Sequence, residues 1–331
     1  MTEKKLIAVV GATGSQGGGL VRAILEDPTA EFAVRALTRN PESAKAKALA
    51  AAGAEVVAAD LDDEASVRAA FEGAHGAFVV TNYWAERTPE QDAAQTRAEM
   101  ELAQAETAAR AAKEAGIAHL IWSTLEDTRP FFAGRDDVPS LDDGRYKVPH
   151  FDAKGEADAL FTKYGVPTTF LRTTFYFDSL IAGMEPSRNS EGKLVLNMPM
   201  ADQPLSGIAS EDIGRTALGI FKRGADQLEK TVSIAGDHLT GDQYAAALTA
   251  ALRETLGEEI TYQPLTWDEY RALQFPLAVE IANMFQFYAE DSARFTGDRD
   301  LAKVRELNPA LQSLEEWLTK RKADFKLEPT L

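Results

Sequence analysis

Five uninterrupted apolar residues, 6–10, stand between Lys4-Lys5 and Gly11. A run of this kind, bounded by charge and glycine, reads as a parallel strand buried on both faces, since a half-exposed strand would alternate. Beyond the glycines, Leu20, Val21, Ile24 and Leu25 recur at helical spacing until Asp27-Pro28 stops the helix. The alternation then repeats. Further strands are predicted over 32–37, 55–59, 77–81, 119–123 and 168–171, with helices over about 41–52, 64–72, 90–115 and 152–164. Residues 130–149, rich in Gly, Asp and Pro, read as a loop. After 173 the order is less regular, with a late strand over 231–235. The final stretch is helical, with Trp267, Tyr270, Phe275, Phe285, Phe287 and Trp317 as its expected aromatic core.

Strand–helix alternation of this regularity predicts an α/β fold, a Rossmann-type doubly wound parallel sheet with a smaller α/β C-terminal lobe. Ligands on such sheets lie beyond the carboxyl ends of the strands, so the residues after each strand are the ones to inspect.

Composition narrows the classes. The 331 residues are 45% hydrophobic and 26% charged, as expected of a folded chain. A net charge of −17 argues against a broad nucleic-acid surface or an anionic membrane as partner. With no cysteine there is no thiolate nucleophile, disulfide or Cys-ligated zinc, and no metal site is expected. The first apolar run is too short for a secretory h-region, so the cytoplasm is the expected location.

The sharpest local signal is Gly11-Ala12-Thr13-Gly14-Ser15-Gln16-Gly17. It follows a buried strand and opens a helix, the context in which spaced glycines mean dinucleotide binding. Gly11 permits the tight turn, Gly14 the approach of a pyrophosphate, and Gly17 close packing of helix on strand. Gly18 and Gly19 are read as packing residues. Arg39 follows the second strand, 22 residues after Gly17, where NAD-preferring domains place an acid. A guanidinium there favours the 2′-phosphate of NADP(H). Asp60, and Thr81-Asn82-Tyr83, stand after strands three and four, where adenine and ribose usually rest.

Dehydrogenases on this fold commonly carry Tyr-x-x-x-Lys, whose spacing sets phenol and ammonium on one helical face. The corresponding segment is His150-Phe151-Asp152-Ala153-Lys154. The lysine is present and histidine replaces the tyrosine. Lys154 is expected at the cofactor's ribose or nicotinamide side. His150 is either an acid–base group or a residue that caps or orients the helix start. Tyr176 is a further candidate near the nicotinamide, and Ser123-Thr124 a candidate pair of substrate hydroxyls.

Several segments together resemble the NmrA-like family of atypical short-chain dehydrogenases: residues 11–17, 34–41, 79–84, 123–126, 150–156 and 170–177. Residues 281–288, Leu307-Asn308-Pro309 and Trp317 are similar to the branch of that family containing an animal NADPH sensor. The resemblance implies NADP(H) held by Gly11 through Gln16, Arg39, Asp60-Leu61, Thr81-Asn82-Tyr83, Lys154 and the turn Tyr176-Phe177-Asp178. Relatives can carry further basic residues where this chain has Glu42, Ser43 and Ala94. The expected division is a cofactor domain over 1–172, with 206–238 returning to it, and a substrate or partner lobe over 173–205 and 239–331. The leading functional expectation is an NADP(H)-binding redox sensor with weak or no dehydrogenase activity. The rival is an NADPH-dependent reductase of a quinone-like or enone small molecule. Expected partners are accordingly NADP(H), a regulatory protein, an aromatic or quinone substrate, or a second copy in a homodimer.

Overall fold

The computed structural model describes residues 4–326. Its first half alternates strand and helix: β1 (Lys5–Val9), α1 (Ser15–Glu26), β2 (Phe32–Thr38), α2 (Ala44–Ala51), β3 (Glu55–Ala58), α3 (Glu64–Phe71), β4 (Gly76–Val79), α4 (Pro89–Ala94), α5 (Arg97–Ala115), β5 (His119–Thr124), α6 (Pro149–Lys163) and β6 (Thr168–Arg172). Then come β7 (Phe175–Tyr176), β8 (Ser187–Arg188), β9 (Leu194–Leu196), β10 (Leu205–Ile208), α7 (Ser210–Arg223), β11 (Thr231–Ser233), β12 (Asp237–Leu239), α8 (Gly241–Leu256) and β13 (Thr261–Tyr262). The chain ends in α9 (Trp267–Arg271), α10 (Ala278–Glu290), α11 (Ser292–Gly297), α12 (Leu301–Leu307) and α13 (Leu314–Arg321).

Seven strands form one parallel sheet in the order β11-β6-β5-β4-β1-β2-β3. The order reverses between β1 and β4, and that switch point is where a ligand crevice opens in such sheets. The apolar runs are unbroken because both faces are covered. Ile7, Val9, Phe78 and Ile121 pack on the side of Leu20, Ile24, Ile213 and Phe221. Their neighbours Ala8, Ala77, Val79, Leu120 and Trp122 pack on the opposite side with Val67, Phe71, Ala105 and Phe161. The period of two in a strand sends alternate side chains to the two faces. Gly19 serves packing as expected, since a Cβ there would lie 2.6 Å from the carbonyl oxygen of Glu211 on α7.

Two small three-stranded sheets, β12-β10-β7 and β13-β9-β8, carry the later strands. A separate apolar cluster joins Phe285, Phe287, Tyr244, Phe177 and Trp317.

Several boundaries depart from expectation. The helix predicted over 90–115 is two, because Thr96 caps a new one through a reciprocal bond with Glu99. The helix predicted from 152 begins at Pro149, whose fixed φ suits a first turn. Strand four ends at Val79, leaving Thr81 in the following turn. Phe275 is 41% exposed and is not part of the aromatic core. It sits in the turn between α9 and α10, beyond the periodicity of either helix.

Candidate active site

The turn after β1 holds Gly11 at φ 69°, in the left-handed region that favours glycine. A Cβ on Gly17 would stand 2.5 Å from the Gly11 carbonyl oxygen, so only glycine lets α1 start this close to the turn. Gly14 caps α1 without a side-chain hydrogen bond, and its first turn has no acid. The leading N–H groups are therefore available to an anion, with the helix dipole in favour.

A cavity of about 1420 Å³ opens around this turn, beyond the carboxyl ends of β1 to β4. Gly11, Thr13 to Gly17, Asp60, Leu61, Thr81, Asn82 and Tyr83 all line it. Arg39 lies exposed at the same end and makes no hydrogen bond or ion pair among the described residues. Lys45 lines the cavity too, likewise exposed and unpaired among the described residues, and was not expected there. The signal was available: Ser43 caps α2 and puts Lys45 in its first turn.

Other candidates lie elsewhere. Ala12 is buried in the sheet core. Phe177 is fully buried against Tyr244 and Trp317. Asp178 accepts from the Ser210 amide at the start of α7. Neither Phe177 nor Asp178 lines the cavity. Ser123 is not a cavity hydroxyl; it donates to Gln16 Oε1 at 2.7 Å. Gln16 in turn donates to the Tyr176 hydroxyl at 2.7 Å, fixing both against the glycine turn. Thr124 also points inward, donating to Asp158 at 2.7 Å.

Lys154 lines the cavity, yet its ammonium is already engaged. Nζ lies 2.6 Å from Glu101 Oε2, donates to Thr81 Oγ1 at 2.5 Å, and Glu101 is 1% exposed. A buried carboxylate on α5, which the sequence did not point to, holds it as an ion pair. Glu101 was not foreseen, although it is the one acid inside the alanine stripe that α5 buries.

His150 does not cap α6. Its Nδ1 lies 2.6 Å from Glu280 Oε1, and its backbone N–H donates to the same oxygen at 2.9 Å. Glu280 Oε2 accepts from the Tyr83 hydroxyl at 3.1 Å. Burial and then the Glu280 charge push the Tyr83 phenol far above its ordinary range, so it remains a protonated donor. Glu280 is 2% exposed and sits on α10, 130 residues from its partner. Its signal was a lone acid in the apolar run of that helix.

Past His150 the cavity runs on between Phe151, Leu196, Met198, Tyr270, Ile281 and Met284. Sites for a single small ligand span roughly 300–1,000 Å³, so the volume leaves room for a dinucleotide and a second, apolar molecule. Trp84 and Phe275, 48% and 41% exposed, stand at the mouth. Among the described residues no group of three or more His, Asp or Glu could hold a metal, and no helix is long and apolar enough to cross a membrane.

Comparison with known proteins agrees with the geometry. The model of the NmrA-like family matches residues 3–318. An NmrA-like oxidoreductase, FrzB of a Cladobotryum species, is 28% identical, covering 88% of this chain and 85% of its own. A Dictyostelium discoideum protein with an NmrA-like domain is 26% identical over 98% of this chain and 99% of its own. Among solved structures, the negative transcriptional regulator NmrA in complex with NADP superposes with a TM-score of 0.72, at 24% identity, over 96% of this chain and 95% of that one. The Citrobacter triphenylmethane reductase complexed with NADP(H) gives 0.67 at 20% identity, over 95% and 99%. At such identities these two structures speak for the fold.

Proposed function

The chain belongs to the NmrA-like family, and we propose that it binds NADP(H) and reduces a flat, apolar, quinone-like or enone acceptor. The observation that carries this reading is the continuous cavity, polar and glycine-lined at one end and apolar at the other. The residues present fit the dinucleotide. Gly17 lets α1 start against the turn, the first amides of α1 offer donors to a pyrophosphate, and unpaired Arg39 and Lys45 await the 2′-phosphate. When bound, the nicotinamide supplies the hydride.

The chain's own residues do the rest. Gln16, pinned by Ser123 and Tyr176, fixes the floor beside the glycine turn. Phe151, Ile281 and Met284 exclude water from the far chamber, which strengthens the electrostatic interactions inside it. Oxidoreductase names among the relatives support the same chemistry. A two-lobed division, with residues 1–172 and 206–238 holding the cofactor and the remainder the acceptor, fits this reading and is proposed with it.

A sensor reading has one observation in its favour. The tyrosine is replaced by His150, and Lys154 is neutralised by Glu101, so the usual phenol–ammonium pair is absent. One experiment separates the two: steady-state NADPH oxidation over a panel of naphthoquinones and enones, with protease sensitivity measured in NADPH and in NADP+. Robust turnover with a cofactor-independent digestion pattern supports the reductase. No turnover with a digestion pattern that differs between the two cofactor forms overturns it in favour of the sensor.

A further inference from the structure

Resting on the reductase reading, we infer that Glu280 and His150 act as a couple that delivers the proton of the reaction. The imidazole is the acid, and the α10 carboxylate is the residue that positions it.

Nδ1 and the backbone N–H of His150 both meet Glu280 Oε1, at 2.6 and 2.9 Å. Two bonds to one oxygen fix both the place of the ring and its rotation. The carboxylate is held from its other side by the Tyr83 hydroxyl at 3.1 Å, and its own burial prevents it from swinging away. A carboxylate only accepts, so the nitrogen it faces must carry the hydrogen. Nε2 is then the working atom. It has no protein partner among the described residues, in a side chain that lines the same cavity as the glycine turn and the apolar residues Leu196, Met198 and Met284. The arrangement repeats the logic by which a buried carboxylate fixes the tautomer of a catalytic histidine. Tyr83 cannot take the role, because its proton is committed to Glu280.

In the step itself, hydride adds to the electron-poor atom of the acceptor while the acceptor oxygen takes the proton from Nε2 of the imidazolium. The C–H bond of the reduced nicotinamide and the N–H bond of His150 break. The acceptor gains two electrons, NADP+ is left, and His150 remains as the neutral Nδ1–H form opposite Glu280. Solvent then restores the proton at Nε2. Lys154, tied to Glu101, is left to orient the cofactor side of the cavity.

The test reads tautomer and turnover in the full chain. Long-range 1H–15N spectra above neutral pH should show His150 as a single Nδ1–H tautomer; with four histidines in the chain, His150→Gln assigns the signal. Glu280→Ala should release the ring to the Nε2–H form that free imidazoles favour. Both variants should lower kcat with a naphthoquinone about a hundredfold or more, leave NADPH affinity unchanged, and be no worse when combined, as groups acting as a unit behave. Should Glu280→Ala fail to fold, Glu280→Gln keeps the shape without the charge and should lower kcat at constant KM. A wild-type ring in the Nε2–H form, or full turnover in His150→Gln or Glu280→Gln, overturns the couple and leaves the reductase standing. A wild-type protein that turns over no acceptor overturns both.

Discussion

The two exposed cations that line the cavity, Arg39 and Lys45, should set a measurable preference between cofactors. Arg39 and Lys45 are exposed, unpaired and both line the cavity at the proposed adenosine end. A charge-assisted hydrogen bond contributes about 1.5–3 kcal/mol. At this exposed rim, with a screening length of about 8 Å at physiological ionic strength, the lower figure applies. Each tenfold in affinity corresponds to about 1.4 kcal/mol. Arg39→Ala or Lys45→Ala should therefore weaken NADPH about tenfold, and the double variant roughly a hundredfold. NADH, which lacks the phosphate but meets the same glycine turn and α1 amides, should bind all variants alike. The assay is fluorescence titration of both cofactors at low and high salt, where added salt should shrink the preference of the wild type and leave that of the double variant unchanged. If the double variant lost NADPH and NADH affinity in parallel, the cations would be supporting the fold and the assignment of the 2′-phosphate would be wrong.

Three further outcomes follow from particular contacts. Gly17→Ala places a Cβ 2.5 Å from the Gly11 oxygen and 2.8 Å from that of Val10, so it should cost about 1–3 kcal/mol in a urea melt and abolish dinucleotide binding; unaltered binding refutes the assignment of the pyrophosphate to the start of α1. Arg299 is wholly buried, 2.8 Å from Glu126, so Arg299→Met should cost about 3–5 kcal/mol, and adding Glu126→Gln should restore part of it in the same melt; no recovery refutes the pairing. Burial lifts the Asp158 carboxyl to about 7 from its ordinary 3.8, although Thr124 and Trp122 donate to it, so the folded chain holds a proton that the unfolded chain releases. Stability should then fall as pH rises from about 4 to about 7, by no more than about 4 kcal/mol and less for the partial exposure, and a Tm–pH curve that Asp158→Asn does not flatten counts against it.

What the sequence disclosed and what it hid divide along physical lines. The strands over 6–10, 77–81 and 119–123 were readable because each face of a parallel sheet demands apolar side chains, which leaves an unbroken run. The glycine turn was readable because its requirement is local: the same few residues make the bend and the cradle. The break at Thr96 was missed because alanine-rich sequence favours helix on both sides, and only a reciprocal capping pair marks the new start. Lys45 is hidden because it lies six residues beyond Arg39 in the chain, and only the capped start of α2 at Ser43 brings the first turn of that helix to the same cavity.

Glu101 and Glu280 were hidden for a deeper reason. Each is the one acid on the buried face of its helix, among alanines on α5 and among apolar residues with Asn283 and Gln286 on α10, and each finds its cation or imidazole on α6, with Glu280 130 residues distant. Periodicity shows that such an acid is buried and says nothing about what it meets. It does imply that something is met, because an unpaired carboxylate in that position would cost several kcal/mol. A lone acid in a buried stripe is therefore a signal that a partner exists, and the partner must be sought among cations and imidazoles whose own positions look unexplained. His150 and Lys154 are such residues, one helical turn apart, and each meets one of the two acids. The pairing separates their work. A lysine satisfied by Glu101 retains a fixed place but loses the freedom to tune a neighbouring phenol, while a histidine satisfied at Nδ1 by Glu280 gains a defined free nitrogen. On the proposed reading, replacing a tyrosine by histidine in this motif transfers the acid from an oxygen governed by Lys154 to a nitrogen governed by Glu280 on α10, and makes the C-terminal part of the chain a participant in the proposed chemistry.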